Sequence, residues 1–476
     1  MKANALLIEV DCCITCNQMD NAVAAANQAL SVLGYHMPKK VFVRHVIVKL
    51  LKVKLMISGR SDEYILSLPR MKDEVALTAV RLLLHLYSYC SFKNEHLQAV
   101  YCALFATEMT MKHGLNAYAA SAFTIYGVTE LSSGNYRKGY RFGKLAMSLL
   151  DKFKNKDAEC QTVVTVLSVL THWHDPIREM PPVLLEAAKR GLEIGDVVYG
   201  TLCLTMCHGV QLFLGENLDH LEHSIRSTYY RIQDLSQDAL VMWAEPVLQF
   251  VLNLKSQDAA EWHDLTVLTG EIMNESSYLQ KVAETNHQML LLHILMHKVQ
   301  LTFYFGQWEN SIAICNDIMG LKQGFHLNFA ALPCSFFGAM ASYSLYRKNK
   351  LRKHLKAARQ LQRILWQAHA RSCPNVAIFL NFLKAENLSI KLSTNSHEVK
   401  LAYDIAIESI AAEKYPQFEA LANERAAFYQ IQCKNRVTAQ EYFDQALELY
   451  GDKWGAIAKH DFLMEEMEKE LPRLPL

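Results

Sequence analysis

Apolar residues recur at helical spacing along this chain, most clearly in residues 112–153. Small and apolar residues fill positions 117–131, and residues 133–135 (Ser-Gly-Asn) interrupt them. A second amphipathic segment begins at Tyr136. Small residues let two helices pack closely, and glycine gives the backbone the freedom that a tight reversal needs. The pattern predicts a helical hairpin.

The same arrangement returns along the chain, with pairs of helix-length segments separated by short polar breaks. Successive breaks lie 40 to 49 residues apart, and no alternation typical of strands recurs. They are centred near Asn94, Gly134, Asp175, Gly215, Gln257, Gly306, Asn349, Asn395 and Asn435. A period near 40 predicts an all-α fold, an α-α superhelical solenoid of about nine or ten hairpins. We expect it to be curved, with a concave surface for a partner helix or peptide.

The hairpins resemble tetratricopeptide repeats. In residues 134–149 a glycine precedes an aromatic residue by two positions, and small residues follow, as in the second half of such a repeat. The period exceeds the roughly 34 residues of a standard repeat and overlaps the HEAT range, so we describe the repeats as tetratricopeptide-like with lengthened helices. Residues 38–476 are expected to form one continuous solenoid. Residues 1–37 either cap it or once packed on an upstream domain.

Composition narrows the function classes. The 476 residues include 49 basic and 48 acidic side chains, so no overall charge favours nucleic acid or membrane. Twelve cysteines lie among apolar residues and no signal peptide is evident, which favours reduced thiols in the cytoplasm. The uncharged stretches 197–215 and 324–346 are interpreted as buried helices of the solenoid, not membrane spans.

Two groups of residues have spacings found in metal or redox sites. Cys13 and Cys16 form a Cys-x-x-Cys pair just after Cys12, but a four-ligand zinc site needs a second pair, and none follows nearby. His293 and His297 stand four apart on a predicted helix, without the intervening glutamate of a metalloprotease. We interpret both groups as structural.

Other candidates for chemistry are no stronger. Residues 172–176 (His-Trp-His-Asp-Pro) gather ligand-type side chains at a turn, and Glu465, Glu466, Glu468 and Glu470 belong to a solvated terminal helix. The chain has no phosphate-binding loop, kinase motif or nucleophilic serine elbow. The sequence therefore predicts no catalytic residue, no metal, no cofactor and no enzymatic activity.

One stretch has an unusual charge distribution. Residues 318–385 contain eleven Lys or Arg and no Asp or Glu, and nine of the basic residues lie within 347–371. Five recur at helical spacing, which predicts a shared helix face: Lys348, Arg352, Lys356, Arg359 and Arg363. This face could dock an acidic protein segment or a phosphate-bearing ligand. Alternatively, it is a solvated face balanced by acidic neighbours from other repeats.

Short motifs along the chain resemble the helical region of very large multidomain signalling proteins. They are Gly59-Arg60-Ser61, residues 66–71, Tyr126-Gly127, residues 134–143, His172-Trp173, residues 191–196, residues 419–424 and Trp454-Gly455-Ala456. In that family a serine/threonine-kinase-like domain and a predicted AAA-type ATPase precede the helical region, and a GAF domain and often a histidine kinase follow it.

The resemblance implies a function in signal transduction. The family's phosphate-binding and kinase motifs are missing, so the sequence resembles the connecting region alone, as a fragment of a multidomain kinase, the product of a split gene or a stand-alone remnant. It implies a non-catalytic scaffold for protein binding and signal coupling, with a signalling kinase, an ATPase or an acidic peptide segment as partner. The alternative is a free-standing peptide-binding adaptor that uses the basic face at 347–371.

Overall fold

A computed structural model describes residues 8–10, 12, 19–92, 95–154, 156–235, 238–257, 264–321, 328–391 and 395–471. Their regular structure is helical, with one isolated bridge between Arg70 and Leu115. The helices pack in successive pairs, which confirms the predicted all-α helical-repeat architecture. The chain divides into two compact units, Met1–Thr171 with Lys189–Tyr199, and His172–Ala188 with Gly200–Leu476. The division at residues 37 and 38 stays a prediction.

The first unit is built on small residues at helix crossings. Ala29 of α1, Ala79 of α4 and Ala103 of α5 are fully buried in one core cluster, and such short side chains let the helices approach closely. Its helices are α1 (Met19–Val32), α2 (Val43–Ile57), α3 (Asp62–Ser67), α4 (Glu74–Phe92), α5 (His96–His113), α6 (Ala119–Ser132), α7 (Tyr136–Phe153) and α8 (Glu159–Thr165), which a π-helical segment, Val166–Thr171, continues.

The hairpin predicted in residues 112–153 is confirmed as α6 and α7. Gly134, at the reversal, has a φ of +85°, a conformation that other residues adopt rarely. At the crossing, a Cβ atom on Gly139 would lie 3.0 Å from the Cβ atom of Leu131. The ring of Phe142 packs edge-on against Tyr126 with 4.7 Å between centroids. The glycines therefore set the distance between the two helices.

The second unit contains most of the remaining repeats. Several predicted breaks coincide with a left-handed residue or an N-terminal cap of a helix. The left-handed residues are Gly215, Gly306, Lys350 and Lys434, and the cap is Asn395. Asn94 lies outside the described residues. After α9 (Met180–Glu193) and α10 (Val197–Leu214), whose residues are divided between the units, the helices are α11 (Leu218–Asp234), α12 (Asp238–Lys255), α13 (Glu275–Thr285), α14 (Gln288–Tyr304), α15 (Trp308–Gly320), α16 (Ala331–Asn349), α17 (Arg352–Ala370), α18 (Ala377–Ser389), α19 (Ser396–Ala412), α20 (Pro416–Gln432), α21 (Arg436–Glu448) and α22 (Ile457–Glu470).

Aromatic side chains fill the space between the inner helices of the second unit. Phe336 of α16 stacks on Phe379 of α18 at 4.5 Å, and Phe379 meets Phe418 of α20 at 5.2 Å. Phe213 of α10 reaches Phe418 from the other side at 5.7 Å. These contacts lie within the core of the unit. The rings bury the inner faces of these helices against one another, and the concave docking surface stays a prediction.

Helix α10 is long and apolar enough to cross a membrane by length and composition alone. Half of its residues are buried inside the structure, and the core helix of a soluble protein passes the same test. The second uncharged stretch includes α16, in which every residue from Ala331 to Leu345 is buried; residues 324–327 lie outside the described part. Burial on all sides accounts for the absence of charges in residues 331–345.

A buried ion cluster joins three inner helices. The fully buried carboxylate of Glu386 on α18 lies 2.7 Å from Arg347 of α16 and 3.4 Å from Arg425 of α20. It also accepts a hydrogen bond of 2.7 Å from the Tyr403 hydroxyl of α19. Burial alone would raise the pKa of Glu386, but the two guanidiniums outweigh it and hold the pKa below its usual range. The carboxylate therefore stays ionised and holds three hairpins in register.

Replacing Glu386 by glutamine is expected to destabilise the second unit by about 3–5 kcal/mol, because two buried guanidiniums lose their counter-charge. Urea unfolding followed by circular dichroism measures the change. Glu408→Gln, at an exposed position on α19, is the matched control and should cost less than about 0.5 kcal/mol. Equal unfolding midpoints for the two variants would show that the cluster does not hold the hairpins together.

Candidate functional site

The predicted basic face lies mainly on α17, which a tight turn separates from the buried helix α16. Lys350 has a left-handed backbone with φ of +57° and ends α16, and the Asn349 carboxamide accepts a hydrogen bond from the backbone amide of Leu351. On the inner side, Leu361 and Leu365 are buried. The Tyr343 hydroxyl of α16 donates to the Gln362 carboxamide at 2.8 Å. These contacts fix which side of α17 faces solvent.

The exposed side of α17 carries a row of cations that we call the basic stripe: Arg352, Lys356, Arg359 and Arg363. Their spacing of three or four residues keeps them within about a quarter of the helix circumference, opposite the buried leucines. In the described part of the chain, none of the four lies within 4 Å of a carboxylate. The direct ion pairs that would balance the stripe are therefore not formed among these residues.

Lys348 does not share this face. It lies on α16, before the left-handed turn at Lys350, so the prediction of one helix face for all five cations is wrong at this position. Its ammonium is 3.9 Å from the carboxylate of Glu309, with both side chains exposed, which contributes little to stability. Arg347, next to it, belongs to the buried cluster with Glu386. Lys348 and Arg352 thus lie on different helices, because α16 ends between them.

An exposed tryptophan extends the basic stripe. Trp366 is 52% exposed and lies three residues beyond Arg363, on the same side of α17. At the other end, Tyr346 and Leu355 line a shallow depression of about 390 Å³ together with three residues of the stripe, Arg352, Lys356 and Arg359. Cations between aromatic groups suit a ligand that carries both negative charge and apolar groups. Trp366 was not among the predicted residues of this face, although its spacing from Arg363 continues the pattern.

A larger depression of about 590 Å³ lies where α19, α20 and α21 meet. Its lining includes two lysines and two glutamates: Lys414, Lys453, Glu419 and Glu448. Since the charges balance, this depression does not favour a ligand of one sign. The basic stripe remains the better candidate.

The histidines predicted to share a helix face do so in the core of the second unit. The Nε2 atoms of His293 and His297 are 3.4 Å apart. Phe250 packs on His297, and Trp243 packs on His293. Burial lowers the pKa of His293 to about 4 and holds that of His297 well below its usual range. Among the described residues, no three histidine, cysteine, aspartate or glutamate side chains gather as a ligand set.

The remaining sequence candidates lie apart from one another. Cys12 is exposed, whereas Cys13 and Cys16 lie outside the described residues. His172 is buried against Trp173, and its carbonyl accepts a hydrogen bond of 2.7 Å from the Asn375 carboxamide. The terminal glutamates lie on α22, where Glu466 pairs with Lys469 at 2.7 Å. Those of these groups that lie in the described part of the chain form no common site.

Comparison with known proteins gives a limited similarity. No family model matches the chain. Over 155 residues, 31% of this chain, it is 25% identical to the hybrid signal transduction histidine kinase G of Dictyostelium discoideum. The match covers 4% of that protein's length. The chain thus contains a helical region similar to part of a signalling protein, in agreement with the broader part of the resemblance.

Reversing charges on the basic stripe should leave the fold intact. Arg352→Glu with Lys356→Glu is expected to change the free energy of unfolding by no more than about 0.5 kcal/mol, because both side chains are exposed and form no ion pair among the described residues. Arg347→Glu, which places a second carboxylate beside Glu386, should destabilise strongly. Urea unfolding of both variants is the measurement, and a large loss in the double variant would indicate a structural role for the stripe.

Acid should weaken the second unit through its buried histidines. Burial lowers the pKa of His208, like that of His293, to about 4, whereas the unfolded groups titrate near 6.5. Between these values the unfolded state binds more protons, so stability is full above about pH 6.5 and falls towards pH 4, by up to about 3 kcal/mol for each histidine. Unfolding midpoints measured across this range test the slope.

The matched controls for the acid effect are substitutions to glutamine. His293→Gln should reduce the slope, whereas His220→Gln, at an exposed position on α11, should keep it. If both variants keep the slope of the unchanged chain, His293 is not its source.

Proposed function

We propose that this chain is a non-catalytic helical scaffold that couples partners in signal transduction and docks an acidic protein segment on the basic stripe of α17. The observation that carries the proposal is the stripe itself. Four exposed cations without ion pairs among the described residues lie between Tyr346 and Trp366. Such a row attracts carboxylates electrostatically, while the aromatic groups offer apolar contact area.

The similarity to a signal transduction histidine kinase supports a signalling context. The proposed partner is a signalling kinase, an ATPase, or an acidic peptide segment. The ten free cysteines of the described part, eight of them buried, suit the reducing cytoplasm that the proposal assumes. Balanced overall charge makes nucleic acid and membrane poor partners for this surface.

The coupling would be conformational. The basic stripe begins next to the turn that follows Arg347, and Arg347 is held by Glu386 of the next hairpin. A partner that moves α17 would therefore act on the contact between two repeats. A free-standing adaptor would use the same surface without neighbouring domains, and the interaction alone does not distinguish the two roles.

The proposal is tested by affinity capture on the purified chain from a nuclease-treated extract of its own cells, at low and moderate salt. We expect a signalling kinase, ATPase or other acidic-segment protein to be recovered in a salt-sensitive manner, and to be lost with Arg352→Glu/Lys356→Glu and reduced with Trp366→Ala. Mass spectrometry identifies the proteins.

The control reverses two exposed cations elsewhere, Lys391→Glu and Arg436→Glu, which should retain the partner. Recovery of the same proteins by the stripe variant and the unchanged chain would contradict docking on α17. Recovery of nothing by a folded, monodisperse chain would contradict the scaffold role.

A further inference from the structure

Helix α2 of the first unit exposes an apolar face. Five aliphatic side chains are each between 50% and 78% exposed: Val43, Ile47, Val48, Leu51 and Leu55. They lie within an arc of roughly 140° and follow the helix over its whole length. Single exposed aliphatic residues are ordinary on protein surfaces, but a continuous face of five marks an interaction site. We call this set the aliphatic face.

The inner side of α2 combines apolar and charged contacts. Val53 and Ile57 are buried there, and Val46 and Leu50 are half-buried beside them. Lys49 and Lys52 pair with the buried carboxylate of Glu108 on α5, at 2.7 and 2.6 Å, and Lys54 pairs with Glu130 of α6 at 3.1 Å. These contacts hold the helix to its own unit and leave the aliphatic face without a partner among the described residues.

The segment that carries the aliphatic face has charged residues of one sign. No Asp or Glu occurs in residues 21–61, which contain seven Lys or Arg. Arg44 is exposed within the arc of the aliphatic face, with its guanidinium over the ring of Phe42 at 5.4 Å. Lys40 is exposed beside the same ring. A partner must therefore carry apolar side chains that cover the aliphatic face and negative charges that lie opposite Arg44 and Lys40.

From this geometry we propose that α2 docks an amphipathic helix with acidic flanks from a partner protein, laid along the aliphatic face. Leucine-type residues of that helix cover Ile47, Leu51 and Leu55, and its carboxylates meet Arg44 and Lys40. This surface lies in the first unit and is separate in sequence from the basic stripe, so the inference goes beyond the proposed function.

Two other occupants fit less well. A second copy of α2 would place like charges face to face, because residues 21–61 contain no acidic side chain. An anionic lipid surface would satisfy the flanking cations. However, Arg44 lies within the apolar arc, where the acyl chains of a lipid offer no counter-charge. A partner helix can place a carboxylate there.

The test uses a synthetic helical peptide of about three heptads, with leucine at every third or fourth position, glutamate beside the leucines and alanine elsewhere. Its anisotropy is measured with the full chain. We expect saturable binding that Leu51→Gln/Leu55→Gln weakens by at least about tenfold, or ~1.4 kcal/mol, and that Arg44→Glu also weakens. A peptide with lysine in place of glutamate should not bind.

The matched control is Leu401→Gln/Ile405→Gln, which changes two exposed aliphatic residues with the same spacing on α19 and should leave binding unchanged. Arg352→Glu/Lys356→Glu should also leave it unchanged, which separates this surface from the basic stripe. Unfolding midpoints confirm that each variant is folded. Absence of binding, or equal binding by the Leu51→Gln/Leu55→Gln variant, overturns the proposal.

Two parallel measurements identify the other occupants. Flotation with phosphatidylcholine vesicles containing about a third phosphatidylserine, abolished by Leu51→Gln/Leu55→Gln, would assign α2 to a lipid surface. Concentration-dependent dimerisation in sedimentation velocity, abolished by the same variant, would assign it to a second copy. Either result without peptide binding contradicts the partner helix.

Discussion

The second unit depends on a carboxylate that is completely removed from water. Glu386 is tolerated there because Arg347 and Arg425 supply counter-charges and Tyr403 donates a hydrogen bond. The cluster connects α16, α18 and α20, which also pack through aromatic rings, contacts that are less directional. Apolar packing supplies most of the stability, whereas the buried charges specify which residues of successive hairpins lie opposite each other.

The packing of α16 and α17 explains why the basic stripe faces solvent. Residues 331–345 of α16 are buried on all sides, and its partner α17 packs on it through buried leucines and exposes its other side. The cations that follow the turn at Lys350 then point outwards together. Arg347, three residues before that turn, points inwards and is neutralised. A single change of backbone direction separates a structural cation from the candidate docking cations.

Helix α2 has the reverse arrangement. It meets its own unit with lysines that reach the carboxylates of Glu108 and Glu130, and it presents aliphatic residues to solvent. The periodicity of α2 predicts an amphipathic helix, but periodicity does not state which side packs inwards. In α2 apolar residues occur on two sides, so Val53 and Ile57 pack inwards while the aliphatic face stays exposed.

The repeats and several of their boundaries could be predicted from the sequence. The hairpin of α6 and α7, with its reversal at Gly134, follows from local spacing and glycine alone. The fully buried α16 follows from the absence of charged residues over most of its length. These features depend on contacts within one hairpin or on hydrophobicity, which are local properties of the chain.

The sequence by itself determined the all-α class, the period near 40 residues and the cations that recur along α17. Only the tertiary structure decided that the inner faces of the second unit fill with aromatic rings, that Lys348 lies apart from the stripe, that Trp366 extends it and that α2 exposes its apolar side. The reason is physical. Helix periodicity is set by residues a few positions apart, whereas burial and charge pairing depend on groups distant in sequence, such as Glu386 and Arg425.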